Sequence, residues 1–352
     1  MSNQPRRIVL LTDGKGDPIS AKTAVNVLRY RGEQAVAVLD RQNAGKTAEE
    51  VLGVGGQTPI VASLAEAPDA NTLMVGVAPA GGKVPPEWMP TFKEAIDRGM
   101  DLVSGLHDFL GEVPELRDAA AEKGVSIWDV RKNRERDVAT GEPFREGCLR
   151  LLTIGNDCSV GKMLAALEVA NDLKARGENA KFLATGQTGI MIEGDGIPID
   201  CVVADFINGA AEKLVRQNEQ HDIVVVEGQA TIAHPRYSSV SLGLLHGCRP
   251  QGMILVYEAG RPHMNGLPHA PLRPLKEIVE AYESAAALLQ CSKVIAVAIN
   301  SRRLSPREAC DEAARVSDEL GLPAVDPIRD GPGVLSDAVL ALRDELFAPS
   351  AG

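Results

Sequence analysis

A two-domain α/β chain, each domain carrying a mostly parallel sheet, is predicted by three observations. Short apolar runs alternate with stretches of helical period along most of the chain. A charged stretch without apolar period, 131–146, interrupts the alternation once. Just beyond it, an apolar run enters a polar loop that closes on Gly161-Lys162 and opens a helix, the context a phosphate-binding P-loop requires. A length of 352 residues accommodates two domains at roughly 150 each.

In the first domain Ile8–Leu11 reads as a buried strand ending in Asp13-Gly14-Lys15-Gly16, and 20–31 as a helix. Ala35–Leu39, Leu73–Val77, Leu102–Leu106 and Val125–Val130 read as further strands, the last three separated by helical patterns near 91–98 and 114–122. The turn 13–16 lacks the Gly-x-Gly-x-x-Gly spacing of a dinucleotide loop, so tight-turn chemistry explains it better. Ala78–Lys83 and Ser104–Asp108 also lie at strand ends and are candidates to wall a cleft. The stretch 131–146 reads as an exposed linker, which sets the domains at 1–146 and 147–352. In the second domain the strands are Leu149–Ile154, Lys181–Ala184, Ile223–Val226, Met253–Tyr257 and Lys293–Ile299. Its helices fall near 161–176, 207–219, 275–290 and 306–320.

Composition excludes several classes of function. Apolar residues are 44% and charged residues 24%, an ordinary globular balance that argues against disorder or a fibrous fold. Aromatics at 3% leave few platforms for stacking bases, and a net charge of −11 repels a nucleic-acid backbone. An anionic ligand must therefore be held by a local device. No run approaches 18 apolar residues, the apolar run after Arg7 is too short for a secretory core, and the six cysteines are scattered without a Cys-x-x-Cys. The expected location is the cytoplasm, with neither nucleic acid nor membrane as partner.

The local device is Gly155-Asn156-Asp157-Cys158-Ser159-Val160-Gly161-Lys162-Met163. Backbone amides at the loop and the helix start converge on an oxyanion, Gly161 permits close approach, and Lys162 adds a point charge. The loop resembles the variant P-loop of dethiobiotin synthetase and related ATPases. It departs from the P-loop pattern at Met163, where Ser or Thr would offer a hydroxyl to Mg²⁺; a thioether is a poor ligand for that hard cation. The cradle is kept and the metal anchor is lost, so no metal is expected.

Ile223–Val226 ends in Glu227-Gly228-Gln229, the strand-end position of a Walker B carboxylate. Glu227, His234 and Asp195 are candidate proton-transfer groups. Gln229, Arg236, Tyr237, Ser238, Ser239 and Arg261 are candidates to bind substrate, the arginines through carboxylates. The amides near Gly228 or the hydroxyls of Ser238 and Ser239 could stabilise an oxyanion. The loops Thr185–Gly189, Glu193–Asp205 and Glu258–His263 are secondary candidates.

Val75–Gly82, the loop 155–163 and Glu227-Gly228-Gln229 with His234-Pro235, Tyr237 and Ser238 together resemble a bacterial family, formerly a domain of unknown function, whose best-understood type is D-glutamate N-acetyltransferase. The resemblance covers roughly residues 5–345. It implies a Rossmann-like N-terminal domain and a P-loop NTPase-like C-terminal domain. It also implies acetyl transfer from acetyl-CoA to the α-amine of an acidic amino acid, D-glutamate first, in D-amino-acid catabolism. Acetyl-CoA carries a pyrophosphate and needs no Mg²⁺, which suits a loop with Met163. The expected partners are the small amino acid and further copies of the chain, a homo-oligomer being the commonest assembly. A Mg-ATP-dependent ligase or kinase of the dethiobiotin-synthetase-like group is the alternative, and a non-catalytic sensor of nucleotide or CoA the third reading.

Overall fold

The computed structural model describes residues 5–18, 20–77 and 82–347, so that Ala78, Pro79, Ala80 and Gly81 of the proposed cleft loop lie outside the described residues. The chain forms two units. One runs to Asn133 and includes Ile190–Gly194; the other comprises Arg134–Gly189 and the chain from Asp195 on.

The first unit has six strands, β1 (Ile8–Leu11), β2 (Ala35–Leu39), β3 (Ile60–Val61), β4 (Thr72–Val75), β5 (Asp101–Ser104) and β6 (Ile127–Asp129). They pair in parallel in the order β3-β2-β1-β4-β5-β6, the strand order of dinucleotide-binding sheets. Helices α1 (Lys22–Arg31), α2 (Ala48–Leu52), α3 (Met89–Asp97) and α4 (Pro114–Lys123) supply the connections. The carboxyl ends of β1 and β2 are occupied by the protein itself. Asp13 pairs with the Arg41 side chain and accepts its amide at 2.9 Å, and Lys15 N closes a turn on Thr12 O at 2.7 Å. A Cβ at Gly16 would collide with the Asp40 carboxylate. The segment 13–16 is thus a tight turn. Of the other strand-end candidates, His107 N donates to Gly82 O at 2.8 Å and Asp108 accepts Val84 N at 3.0 Å, so that 104–108 holds the loop 82–84.

The second unit has β7 (Leu149–Gly155), β8 (Ala180–Leu183), β9 (Ile223–Val226), β10 (Gly252–Glu258), β13 (Lys293–Asn300) and β14 (Ala324–Val325), parallel in the order β14-β13-β10-β7-β9-β8. A hairpin, β11 (His263–Met264) with β12 (Leu267–Pro271), follows β10. Its helices are α5 (Lys162–Ala175), α7 (Ile207–Arg216), α8 (Ser238–Cys248), α9 (Leu275–Ala287), α10 (Pro306–Leu320) and α11 (Gly333–Phe347), and α6 (Gln187–Glu193) begins in it, Ile190–Glu193 being grouped with the first unit. Every residue of β7, β9 and β10 is buried, including the polar Arg150, Thr153 and Glu258, as strands covered on both faces of a parallel sheet are. No helix among the described residues is long and apolar enough to cross a membrane.

Two expectations change. The charged stretch 131–146 is not a free linker, and the boundary between units falls at Asn133 instead of residue 146. Its polar groups are used by the second unit: Glu135 pairs with Lys213, Thr140 and Gly141 amides donate to the buried Glu212, and Arg145 bonds Glu219 and Asp222. Residues 238–248, to which the sequence pattern assigned no element, form helix α8, so the candidates Ser238 and Ser239 sit in its first turn.

Candidate functional site

The phosphate loop forms where β7 runs out. Gly161 has φ 113°, outside the range a side chain tolerates, and the helix begins at the next residue. Ser159 also takes a positive φ, 55°, at a cost of about 1 kcal/mol. Helix α5 has no side-chain N-cap, and among the described residues no acceptor takes the N–H of Gly161, Lys162 or Met163. Uncapped first-turn amides are an anion-binding device.

The loop carbonyls, in contrast, are engaged from within the protein. Arg261 donates to Cys158 O at 2.8 Å and Ser159 O at 3.2 Å, Asn300 Nδ2 to Val160 O at 3.1 Å, and Lys162 Nζ to Asp157 O at 2.7 Å. Asp157 is fully buried; its Oδ2 accepts from Arg261 at 2.6 Å and from Asn265 N at 2.7 Å. With these acceptors spent, the loop offers donors. Arg261, a substrate-binding candidate from sequence, is placed here as the clamp of the loop, 10% exposed and also paired with Glu258. Lys162 is buried, and burial pulls its ammonium down to about 8, with the nearby Cys158 and Asp157 opposing.

Glu227 lies at the end of β9, the strand beside β7. Its Oε2 accepts Thr185 N at 3.0 Å and Gly186 N at 3.1 Å, while Gln229 Nε2 donates to Oε1 at 3.3 Å. Burial pushes the carboxyl up to about 7, and the two amide bonds and Lys162 pull against that. A carboxyl that titrates at neutrality beside a phosphate cradle is suited to accept and return a proton. Gly228 follows, and its N–H is already spent on Thr153 Oγ1 at 2.9 Å, which removes it as an oxyanion donor. A Cβ at Gly228 would collide with the Thr153 carbonyl oxygen. Gly228→Ala is therefore expected to destabilise the fold by about 3 kcal/mol or more, measured by urea unfolding.

After Gln229 the chain reverses at Ala230, φ 48°, and brings His234 under the loop. His234 is fully buried; its Nδ1 accepts Arg236 N at 3.2 Å, which assigns the ring proton to Nε2. Nε2 faces Asn265 O at 3.4 Å and Asp157 Oδ1 at 4.0 Å. This tautomer leaves His234 no free lone pair for a general base. It also bears on Asp157, Cys158 and His234, whose ligand atoms lie within 4.8 Å of one another: a metal would need a bare Nε2, and the Arg236 amide favours a bare Nδ1. Tyr237 stacks on the His234 ring at 5.0 Å and is half exposed, and Arg236 is exposed beside it. Asp195 is exposed and accepts only its neighbour's amide, Gly196 N at 2.8 Å, among the described residues. Asn156, Val160 and Met163 complete the loop, Met163 half-buried in the first turn of α5.

What the sequence did not reveal is the framework around Glu258. That buried carboxylate at the end of β10 is paired with Arg261, Arg302 and Arg303. The apolar strand ending in an acid was legible; two of its arginine partners come from a loop some 45 residues on.

Comparison with known proteins gives a consistent result. The P-loop domain of the DUF1611 family, a domain of unknown function, matches residues 137–336, and the Rossmann-like N-terminal domain of the same family matches 41–133. A protein of Tritonibacter scottomollicae named D-glutamate N-acetyltransferase is 38% identical over 93% of this chain and 96% of its own length. A Pseudoalteromonas protein of the same name is 36% identical over 94% and 97%. The crystal structure of a DUF1611 family protein from Anabaena variabilis superposes with a TM-score of 0.89 at 38% identity, covering 96% of this chain and 99% of that one.

Proposed function

The chain belongs to the DUF1611 family, and from that premise we propose that it transfers the acetyl group of acetyl-CoA to the α-amine of D-glutamate, with Glu227 as the general base. The observation that carries the reading is the pairing of a donor-rich phosphate loop with a buried carboxyl at about 7 on the adjacent strand. The residues fit such a carrier: the free amides of 161–163 and Lys162 would hold its pyrophosphate, and Met163 supplies no hydroxyl for a metal that this chemistry does not need. When bound, the carrier supplies an activated acetyl thioester.

The steps at this chain's residues follow from proton balance. The substrate arrives as an ammonium, which cannot attack until Glu227 takes one proton. The amine lone pair then forms the C–N bond, and the C–S bond breaks to a thiolate. The nitrogen's second proton goes to that thiolate, and Glu227 releases the first to water. Gln229 Nε2, which also donates to Thr185 Oγ1 at 3.0 Å, holds the carboxylate's second oxygen in place. Arg236, whose guanidinium is not committed to the loop as that of Arg261 is, would bind a carboxylate of the acceptor.

Thiol release from acetyl-CoA tests this directly. D-Glutamate should give turnover that EDTA leaves unchanged, and CoA rather than Mg-ATP should raise the melting temperature. Absence of thiol release with every acidic amino acid of either hand would overturn the reading. Stabilisation by Mg-ATP alone would favour the ligase or kinase.

A further inference from the structure

The carboxyl edge of the second sheet is divided by charge. On one side of the phosphate loop β9 ends in Glu227; on the other β10 ends in Glu258 and β13 in Asn300. Asn300 joins this second side to the loop, since its Nδ2 donates to Val160 O at 3.1 Å and its Oδ1 accepts Arg302 N at 3.3 Å. Arg302 donates to both oxygens of Glu258, at 3.0 and 2.9 Å, and Arg303 to one. Arg261 completes the set and reaches the loop itself.

Glu258 is over-supplied. Three guanidinium groups face two carboxylates, Glu258 and Asp157, so one positive charge is left over in a chain of net −11. The surplus is accessible: the side chains of Arg302 and Arg303 are 46% and 53% exposed. Arg303 engages only its Nε, and among the described residues its two terminal amino groups have no acceptor. Neutralising a buried carboxylate needs no open guanidinium fork. An open fork pre-aimed by a buried anion is what bidentate phosphate recognition requires.

We propose that Arg302 and Arg303 form a subsite for a phosphomonoester on the ribose of the acyl carrier, separate from the pyrophosphate cradle at 155–163. The proposal rests on the reading of the carrier as acetyl-CoA, whose nucleoside bears a 3′-phosphate that ATP lacks. It also orients the carrier, with the nucleotide over β10 and β13 and the thioester turned toward Glu227 on β9.

The test measures dissociation constants by calorimetry for CoA and 3′-dephospho-CoA, on the wild type, Arg302→Gln/Arg303→Gln and Arg303→Gln. The single variant leaves Glu258 two partners and guards against a folding defect in the double one. The wild type should prefer CoA by about 10- to 100-fold. Both variants should lose most of that preference by weakening CoA alone, with dephospho-CoA bound as before. Equal affinity of the wild type for the two ligands, or a preference that survives in both variants, overturns the subsite while the carrier reading stands. No binding of either ligand at millimolar concentration overturns the carrier reading and the subsite with it.

Discussion

Replacing Glu227 by Gln is expected to lower kcat by about 10²- to 10⁴-fold while leaving CoA binding within a few-fold of wild type. The acceptor geometry survives the substitution, because an amide oxygen can still take the Thr185 and Gly186 N–H groups, so the loop they belong to should hold. What is lost is the lone pair that receives the ammonium proton. In the wild type kcat/KM should rise with pH through about 7 as the carboxyl ionises, and the variant should lack that limb. The same shift has a stability consequence of defined sign. The folded carboxyl titrates above its unfolded value, so its contribution is fully present below about 4.5 and is lost as pH rises through 7. The loss amounts to about 3 kcal/mol. Glu227→Gln should therefore be more stable than wild type at pH 8 and nearly equal to it at pH 4.5, by urea unfolding at each pH. Full activity in the variant, or wild-type activity that is flat from pH 5.5 to 8.5, would remove Glu227 from the reaction.

The longer strands and the phosphate loop were legible because their signals are local, whereas the two-residue strands β3 and β14 and the hairpin β11–β12 were not. Ile223–Val226 is an unbroken apolar run and Leu149–Gly155 a mostly apolar one interrupted by Arg150 and Thr153, as suits strands covered on both faces of a parallel sheet. Gly161-Lys162 after a strand is likewise a contiguous pattern, and Glu227 is placed by the strand it ends. Helix α8 escaped because its seam is made of glycine: a Cβ at Gly243 or Gly247 would strike Ile207 or Asn208 of α7, so small residues replace the usual apolar stripe. The unit boundary escaped because 134–146 is charged, and its polar groups find partners such as Lys213, Glu212, Glu219 and Asp222 far along the chain. The division of labour among His234, Arg261 and Glu258 is tertiary in the same way. Whether a histidine donates or accepts depends on the amide that meets it, here Arg236 N, and no spacing encodes that.

Lys162→Met should move ligand binding and stability in opposite directions. The ammonium is buried, donates only to Asp157 O among the described residues, and is pulled down to about 8 by burial. Its neutral form is favoured in the fold, so the charge costs stability below pH 8, and that cost is relieved as pH rises from 8 toward 10.5. Removing it should stabilise the ligand-free protein at pH 7 by about 2 kcal/mol, after allowing for the lost bond to Asp157. The same substitution should weaken CoA binding by about 100-fold, because a charge-assisted contact to phosphate disappears. In the wild type an arriving phosphate raises the ammonium's proton affinity, so CoA binding above pH 8 should take up a proton and weaken as pH rises. Calorimetry in two buffers of different ionisation enthalpy reads that proton, and Lys162→Met should abolish it. A variant less stable without ligand yet equal to wild type in CoA affinity would make Lys162 a structural brace for Asp157. The opposing signs would instead mean that the fold carries a destabilising charge at the loop because the ligand requires it there.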